Sequence, residues 1–341
     1  MEKGLVNLIT PAYNSASFVF RLLDSVLSQT YPKIKMYVID DGSTDNTREV
    51  IEGYMPLFEK RGYELVYKYQ ENSGLSAAIN NGLKLVDGEF LLWPDSDDWY
   101  KEPYSIEKLV SALQDSYDEV GVARCRREFV DEVTFQVIRT SSFPNYGFPE
   151  NILEDAVYEQ NGFEWSPGCH VIKTKFLDRF IPNRNIYTEK EAGQDYQLLL
   201  PFYANSKCVS IEDVLLCYLV RADSHCRAKG FEKEKNRVEA YVRTWASVFE
   251  TNSMEIKKSK IEEYKKQGFC RYYVRLLKND VEYLETNSFQ RHINECNDLN
   301  VPLPKRYKKM GIWTKFFSLK SYCAISNIRL RVRNAVCKKD N

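Results

Sequence analysis

Short apolar runs alternate with amphipathic segments along the first hundred residues. Four of these runs have the length and composition of strands, namely LVNLI (5–9), KMYVID (35–40), YELVYKYQ (63–70) and EFLLW (89–93). In the segments between them, apolar residues recur three or four positions apart, as Phe18, Leu22 and Val26 do, or small residues dominate. Strands separated by helices in this way predict βαβ units, and therefore an α/β fold with a mostly parallel sheet flanked by helices.

Two acidic loops follow predicted strands: DDGSTD comes after the strand at 35–40, and PDSDD comes after the strand at 89–93. Ligands of such sheets bind beyond the carboxyl ends of the strands, so these carboxylates are expected on the ligand edge. Taken alone, Asp95, Asp97 and Asp98 would favour a polar turn that caps the next helix. Two acidic loops at one edge favour a divalent cation, because Mg²⁺ and Mn²⁺ take oxygen ligands.

The common glycine-rich phosphate motifs are missing from the sequence. TPAYNS follows the first strand, where a Rossmann dinucleotide site would have GxGxxG, and the P-loop pattern GxxxxGK[ST] occurs nowhere. Phosphates bound by this chain would therefore need a metal ion and side chains. Together with the acidic loops, this predicts half of a metal–diphosphate site.

Composition sets wider limits on the class of protein. The chain has 341 residues, of which 43% are hydrophobic and 28% charged, which is enough for one large domain with an appendage or for two domains. Its nine cysteines have no CxxC spacing, as is typical of reduced cysteines in an intracellular protein, and three histidines leave little for a zinc site. No segment has the length of a signal-peptide core or a membrane span, so a cytoplasmic protein is predicted.

Three stretches carry a family resemblance: LITPAYNSASFVFRLLDSVLSQTYPKIKMYVIDDGSTDNT, ENSGLSAAINNGL and EFLLWPDSDD. They resemble the successive blocks of family 2 glycosyltransferases with the GT-A fold, closely over residues 5–100 and more loosely to about 225. The resemblance implies an inverting transferase that uses a nucleotide-diphosphate sugar, most often a UDP-sugar, together with Mn²⁺ or Mg²⁺.

The resemblance also implies roles for individual residues. The donor nucleotide would be bound by Pro11, Tyr13, Asp40, Asp41, Asn72, Gly74, Asp95 and Ser96. Among these, Pro11 and Tyr13 would line the base pocket, Asp41, with or without Asp40, would hydrogen-bond the base, and Asp95 would meet the ribose. Asp97 would ligate the metal.

One position departs from the family pattern. Where the family commonly has Arg-Asn, this chain has Ile79-Asn80. A cationic contact to the donor is therefore lost or supplied by another residue, and Arg221 is the candidate substitute through contact with the diphosphate. In the same segment, LLCYLVRADSHCRAKG, His225 is a candidate metal ligand.

The catalytic base is predicted in EKEAGQDYQLLLPFYAN (189–205), which resembles the acidic pair and helix of the family with Gln194-Asp195 at the pair. An inverting transfer needs a carboxylate to deprotonate the acceptor hydroxyl, and we assign this role to Asp195. The alternative is that Asp195 only caps the following helix. Trp165 is the candidate acceptor platform, with core packing as its alternative.

We divide the chain into a GT-A catalytic domain over 1–230, with a nucleotide-binding half (1–100) and an acceptor half (101–230), and a helical C-terminal appendage over 231–341. The tail is basic: residues 303–341 carry eleven Lys or Arg against one Asp, a net charge of +10. Aromatic and aliphatic residues are interleaved with these cations. Residues 305–339 are therefore expected either to contact an anionic membrane or to pack on the protein's own acidic body.

The predicted function is metal-dependent, inverting transfer of a sugar to a hydroxyl of a glycan or lipid-linked oligosaccharide in bacterial surface polysaccharide synthesis. One alternative is a nucleotidyltransferase, although TPAYNS lacks the glycine-rich basic loop that such enzymes usually have after the first strand. A second alternative is a non-catalytic sugar-binding module. Nucleic-acid binding is not expected, because the chain outside the tail is acidic.

Overall fold

The computed structural model describes residues 1–143, 152–222, 230–251 and 254–326. The chain divides into two compact units. The first comprises Met1–Arg227 and Thr244–Lys258, and the second comprises Ala228–Arg243 and Ser259–Asn341.

The first unit is built on a mixed sheet, which has nine strands among the described residues and the order β3-β2-β1-β4-β8-β6-β9-β5, with β7 paired to β6. The strands are β1 (Glu2–Ala12), β2 (Ile34–Asp41), β3 (Glu64–Gln70), β4 (Gly88–Leu92), β5 (Trp99–Tyr100), β6 (Val120–Asp131), β7 (Val137–Thr140), β8 (His170–Lys173) and β9 (Lys207–Val220).

The first four strands confirm the parallel arrangement predicted from the sequence. β1 pairs in parallel with both β2 and β4, and β2 pairs in parallel with β3. Their carboxyl ends therefore meet at one edge, with the two acidic loops on it. Beyond β4 the sheet becomes mixed, because β8 runs antiparallel to β4 and to β6 while β9 runs parallel to β6.

Helices cover the sheet of the first unit and form most of the second. In chain order they are α1 (Val19–Leu27), α2 (Thr47–Arg61), α3 (Leu75–Leu83), α4 (Ser105–Gln114), α5 (Leu153–Tyr158), α6 (Leu177–Phe180), α7 (Asp195–Asn205), α8 (Phe231–Thr251), α9 (Lys258–Tyr283), α10 (Thr286–Asp298) and α11 (Lys305–Thr314). α1 illustrates the cause: its apolar residues recur at helical spacing, and Val19, Leu22, Leu23 and Val26 are all fully buried in the core beneath the sheet.

The basic tail is partly packed and partly exposed. The structure does not form one helix through 310–320, because α11 ends at Thr314 and a turn follows. Met310 and Leu319 are buried, whereas Ile312, Phe316 and Phe317 are 66%, 77% and 55% exposed. Residues 327–341 lie outside the described part of the chain. None of the described helices combines the length and apolar character needed to cross a membrane.

A buried ionic cluster lies within the second unit. The fully buried His292 donates from Nδ1 to Asp280 Oδ2 at 2.6 Å, and its Nε2 lies 3.3 Å from Glu239 Oε1. Arg291 pairs with the same Glu239 oxygen at 2.5 Å. Burial alone would lower the pKa of His292, but the two carboxylates outweigh it and raise the pKa to about 8.

This cluster predicts a pH-dependent stability. Because the pKa of His292 is higher in the folded than in the unfolded chain, its contribution is complete below pH 6.5 and is lost as the pH rises through 8. We expect the free energy of unfolding in urea to fall by about 2 kcal/mol between pH 6.5 and 8.5. The His292→Gln variant should lack this step, and an equal step in both proteins would contradict the assignment.

Candidate active site

The first acidic loop, at the end of β2, is hydrogen-bonded to the residues at the start of α3. Asp41 Oδ1 accepts from the Gln70 amide at 2.7 Å and from the backbone N–H of Ser73 at 2.8 Å, and Oδ2 accepts from the N–H of Gly74 at 2.8 Å. Asn72 donates its side-chain amide to the carbonyl of Asp41. The structure therefore brings three predicted donor-side residues together, with Asp41 satisfying the free N–H groups before α3.

Asp40 is buried and organises its own loop. Its Oδ1 accepts from the N–H of Ser43 at 2.8 Å, and its Oδ2 accepts from the hydroxyl of Tyr67 at 2.7 Å. The carboxylate thus fixes the turn after β2. Tyr67 was not predicted from the sequence, since a tyrosine in a partly alternating strand gives no sign of the carboxylate it contacts.

The loop after β1 reaches the second acidic loop through serine hydroxyls. Pro11 is buried at the end of β1, whereas Tyr13 is 52% exposed. The buried Ser15 and Ser96 hydroxyls lie 2.9 Å apart, and the N–H of Ser15 donates to Thr47 Oγ1. This arrangement leaves the ring of Tyr13 on the surface beside a fixed loop, and its place in a base pocket stays a prediction.

Three carboxylates are crowded into the turn after β4. Burial and the charges of Asp195 and Asp97 raise the pKa of Asp95 well above its ordinary value. Asp98 is fully buried: its Oδ1 accepts from the N–H of Leu219, and its Oδ2 has no hydrogen-bond partner among the residues that the structure describes. Burial and the neighbouring aspartates raise its pKa as well. None of the three caps the next helix, because α4 begins only at Ser105.

Arg221, directly after β9, reaches this turn. Its Nη1 lies 3.1 Å from Asp97 Oδ2, and its guanidinium lies over the ring of Phe18 at 4.2 Å. The contact places a cation at the acidic turn. On α3, where the family commonly has an arginine, Ile79 is fully buried, and Asn80 exchanges hydrogen bonds with the backbone of Ile186. His225 lies outside the described residues.

Asp195 is the first residue of α7 and is half-buried. The residue in the N-cap position is Gln194, so the alternative of Asp195 as the cap is wrong. Gln194 donates from Nε2 to Asp95 Oδ1 at 3.0 Å and so ties the start of α7 to the second acidic loop. Burial raises the pKa of Asp195 to about 6, although the nearby positive charge of Arg127 opposes the rise.

Trp165 lies beside α7. Its ring packs edge-on against Phe163, with centroids 4.8 Å apart, and against Tyr196 at 5.9 Å, while its indole N–H donates to Glu159. The side chain is only partly buried. Its role as an acceptor platform stays a prediction, and the packing explains how the ring would be held in place.

Two buried residues near Trp165 were not found from the sequence. Arg127 on β6 donates to Glu164 and to the carbonyl of Trp165. His170 on β8 donates from Nδ1 to the carbonyl of Ser166 at 2.6 Å and accepts at Nε2 from Tyr203, and burial lowers its pKa to about 3. His170 is therefore neutral and structural. The positive charge of Arg127 lowers the pKa of Asp95, Asp98 and Asp195.

The residues present fit a divalent cation that is completed by a substrate. Asp95 and Asp97 offer hard oxygen donors, and their mutual repulsion, seen in the raised pKa of Asp95, would be relieved by a cation. Within the described ranges, no group of three His, Cys, Asp or Glu forms a metal cage by itself. Mg²⁺ usually needs only one or two carboxylates when substrate phosphates complete its shell.

Comparisons of sequence place the chain in a known group. A family model described as Glycosyl transferase family 2 matches residues 7–180. Glycosyltransferase GlyA of Streptococcus pneumoniae serotype 4 is 35% identical over 117 residues, which are 34% of this chain and 16% of GlyA. TuaG of Bacillus subtilis (strain 168), named as a teichuronic acid biosynthesis glycosyltransferase, is 38% identical over 100 residues, 29% of this chain and 38% of TuaG. The chain thus spans less than two thirds of either relative.

Solved structures agree on the fold. S. aureus TarS residues 1–349 in complex with UDP-GlcNAc is similar with a TM-score of 0.67 and 19% identity, covering 89% of this chain and 82% of TarS. The mannosyltransferase PcManGT from Pyrobaculum calidifontis, in complex with GDP-Man and Mn²⁺, gives a TM-score of 0.55 at 16% identity, with coverage of 96% and 88%. These similarities confirm the predicted GT-A type of fold.

The site predicts an unusual requirement for glycine at position 74. Gly74 has φ +91° and ψ 162°, a region that only glycine adopts readily, and a Cβ there would lie 3.0 Å from the carbonyl oxygen of Lys190. We expect Gly74→Ala to lower the free energy of unfolding by about 3 kcal/mol in urea denaturation.

Gly62 provides the matched control. It also has a positive φ, +82°, at the end of α2, but a Cβ there meets nothing within 4 Å. Gly62→Ala should cost about 1 kcal/mol. Equal losses in the two variants would contradict the view that Gly74 is needed for the close approach of segment 189–192.

Proposed function

The chain belongs to glycosyl transferase family 2, and from that premise we propose that it is a metal-dependent, inverting glycosyltransferase. It moves a sugar from a nucleotide-diphosphate donor, which we take to be a UDP-sugar, to a hydroxyl of a glycan or lipid-linked oligosaccharide. The acceptor belongs to bacterial surface polysaccharide synthesis. We assign the catalytic role to residues 1–230 and place the protein in the cytoplasm.

The observation that carries the proposal is the position of Asp195. Gln194 holds the start of α7 against Asp95, so a half-buried carboxylate lies beside the residue proposed to meet the donor ribose. Its pKa of about 6 leaves it mostly ionised at neutral pH and makes it a better base than an ordinary aspartate.

The reaction divides between two groups of side chains. Asp195 takes the proton from the acceptor hydroxyl while the hydroxyl oxygen forms a bond to the anomeric carbon of the sugar. The bond from that carbon to the nucleoside diphosphate breaks on the opposite face. Asp97, with Asp95 close by, would hold Mn²⁺ or Mg²⁺, and the ion would stabilise the charge on the departing diphosphate. Arg221 lies within reach of the same charge through its contact with Asp97.

The donor side is formed by the loops at the strand ends. Pro11 and Tyr13 would line the base pocket, and Asp41, held by the N–H groups before α3, would accept from the base. TarS in complex with UDP-GlcNAc and PcManGT with GDP-Man and Mn²⁺ support a nucleotide-sugar donor for this fold. The name of TuaG supports a cell-surface polymer as the product.

The experiment that tests the function is a donor screen with the purified chain. UDP-Glc, UDP-Gal, UDP-GlcNAc, UDP-GalNAc and GDP-Man are each incubated with Mn²⁺, with Mg²⁺ or with EDTA. We expect release of nucleoside diphosphate from one donor, and only with the metal present. In a parallel incubation with UTP and sugar 1-phosphates, release of pyrophosphate would instead indicate a nucleotidyltransferase. Binding of a nucleotide sugar without turnover would indicate a sugar-binding module.

The variant Asp195→Asn is the internal control of this screen. It should bind the donor with nearly unchanged affinity and transfer sugar at least a hundredfold more slowly, because only the base is removed. In the wild-type chain, transfer should fall as the pH drops below about 6 and Asp195 becomes protonated. Lost donor affinity with a normal maximal rate would make Asp195 a binding residue.

We further propose that residues 305–339 contact an anionic membrane and hold the enzyme near lipid-linked acceptors. Phe316 and Phe317 are exposed, and the exposed Lys308, Lys309 and Lys315 lie close to them in the sequence. Aromatic rings insert at the membrane interface, and each nearby cation adds about 1 kcal/mol on an anionic surface.

Liposome sedimentation tests the membrane contact. The chain should sediment with vesicles of phosphatidylglycerol and phosphatidylcholine, be released by high salt, and ignore pure phosphatidylcholine vesicles. Phe316→Ser combined with Phe317→Ser should weaken binding at least tenfold, since two buried rings are lost. Leu57→Ser, at a 49% exposed position on α2, is the control and should bind normally. Binding that survives the double substitution would contradict the proposal.

A further inference from the structure

Two cysteines lie opposite each other where β6 and β8 meet. The antiparallel register joins Arg124 to His170, so the next opposed pair along the two segments is Cys125 and Cys169. Directly opposed residues of antiparallel strands have Cα atoms about 4.5–5.5 Å apart, and a disulfide bridges Cα atoms about 4.4–6.8 Å apart. The backbone therefore holds the two cysteines at a separation that a disulfide can span.

The side chains of this pair share one environment. Both are buried, with 4% and 3% of their surface exposed, and both belong to the core beneath the sheet. The short turn that ends in Cys169 (Pro167–Cys169) packs against β6, and the two free thiols are close enough to share a hydrogen bond. Formation of a disulfide between them would leave the strand register unchanged.

A small cavity adjoins the pair. Cys125 and Cys169 line it together with Ser141 and Ser166. Its volume is about 20 Å³, which is room for roughly one water-sized molecule. Hydrogen peroxide is only slightly larger than water, whereas a disulfide oxidant such as oxidised glutathione is many times larger. The size of the cavity therefore favours peroxide over a bulky disulfide as the oxidant.

The two sulfur atoms differ in reactivity. The hydroxyl of Ser166 donates to Cys169 Sγ at 3.3 Å. Burial raises the pKa of Cys169, but the hydrogen bonds from Cys125 and Ser166 and the charge of Arg127 outweigh burial and lower that pKa below its ordinary value. Burial raises the pKa of Cys125. Because the thiolate is the nucleophilic form of a cysteine, Cys169 is the sulfur expected to react first.

We propose that Cys125 and Cys169 form a site of reversible oxidation, at which hydrogen peroxide converts the two thiols into a disulfide. The Cys169 sulfur attacks one peroxide oxygen, and the O–O bond breaks. A sulfenic acid forms on Cys169, and the leaving hydroxide takes up the proton that the Cys169 thiol released, which gives water.

The second step closes the disulfide. The Cys125 sulfur attacks the sulfenic sulfur, the S–S bond forms and the S–O bond breaks. The oxygen leaves with the proton of the Cys125 thiol as a second water. The two sulfur atoms together lose two electrons, and the peroxide gains them. A thiol reductant restores both cysteines by thiol–disulfide exchange.

The disulfide would tie the segment that carries Trp165 to β6, because Cys169 ends that segment. The cross-link would also close the chain between the two cysteines, which includes β7 and α5. Cross-linking restricts the unfolded chain, so the oxidised protein should unfold at a higher urea concentration than the reduced protein. Sugar transfer has no part in this chemistry, so the proposal does not depend on the proposed function.

Peptide mapping by mass spectrometry tests the site in the full chain. After treatment with hydrogen peroxide, we expect a loss of about 2 Da, a peptide pair linked through Cys125 and Cys169, and recovery of the reduced mass with dithiothreitol. The same treatment in concentrated urea should give little of this link, because the fold no longer holds the two thiols together.

Single substitutions test the order of the two steps. In Cys125→Ser, the sulfenic acid on Cys169 has no thiol partner, so dimedone should trap it. In Cys169→Ser, Cys125 should remain unlabelled by dimedone. Cys208→Ser is the matched control: Cys208 is buried on β9, but the residue opposite it on β6 is Val122, so this variant should form the same link as the wild type.

Circular dichroism establishes that the wild type and each variant are folded. A folded wild type that forms no link between Cys125 and Cys169 overturns the proposal, and so does a link that forms equally well in urea. If a serine variant fails to fold, the peptide map of the wild type in buffer and in urea decides alone. Dimedone labelling of Cys125 in folded Cys169→Ser, without labelling of Cys169 in folded Cys125→Ser, contradicts the proposed order of attack.

Discussion

The carboxylate of Asp41 accepts the backbone N–H groups of Ser73 and Gly74, and the geometry of the candidate site depends on that contact. It fixes the point at which α3 begins. From α3, Ser76 donates to the carbonyl of Ala192, and Asn80 bonds to both backbone groups of Ile186. The segment that leads into Asp195 is thus held by a helix whose start is set on the donor side.

A second constraint is the crowding of negative charge after β4. Asp95, Asp97 and Asp98 lie in one turn, and burial makes their repulsion costly. Two cations from the later, mixed part of the sheet compensate: Arg221 pairs with Asp97, and the charge of Arg127 lowers the pKa of Asp95, Asp98 and Asp195. The carboxylates come from the parallel half and the cations from the other half, so the site is complete only when both are folded.

The sequence predicted those features whose signals lie in consecutive residues. Apolar runs and acidic loops are written in consecutive residues, and the four parallel strands with their loops were predicted correctly from them. Arg127 stands in VGVARCRREFVD, where alternation cannot tell which arginine is buried beside carboxylates. The His292–Asp280–Glu239 cluster joins three helices, and only tertiary packing brings these residues together.

The tail illustrates the same limit from the other direction. Its composition indicates an amphipathic segment, but composition does not say which apolar residues a neighbouring helix will cover. Met310 is buried and Gly311 packs against Ile293 of α10, whereas Ile312 stays exposed. Buried and exposed positions therefore alternate among neighbouring residues of one short helix, while contact with a membrane stays a prediction.

The replacement of the expected arginine by Ile79 has a structural consequence for how a donor is bound. Ile79 is fully buried, and Asn80 is committed to the backbone of Ile186, so α3 offers no cation at these two positions. Positive charge for a diphosphate must then come from elsewhere, and Arg221 already lies at Asp97. In the proposed function Asp97 would hold the metal, and Arg221, whose Nη1 lies 3.1 Å from Asp97 Oδ2, would lie within reach of the donor phosphates. The cation that is absent from these two positions of α3 would then be supplied from the end of β9.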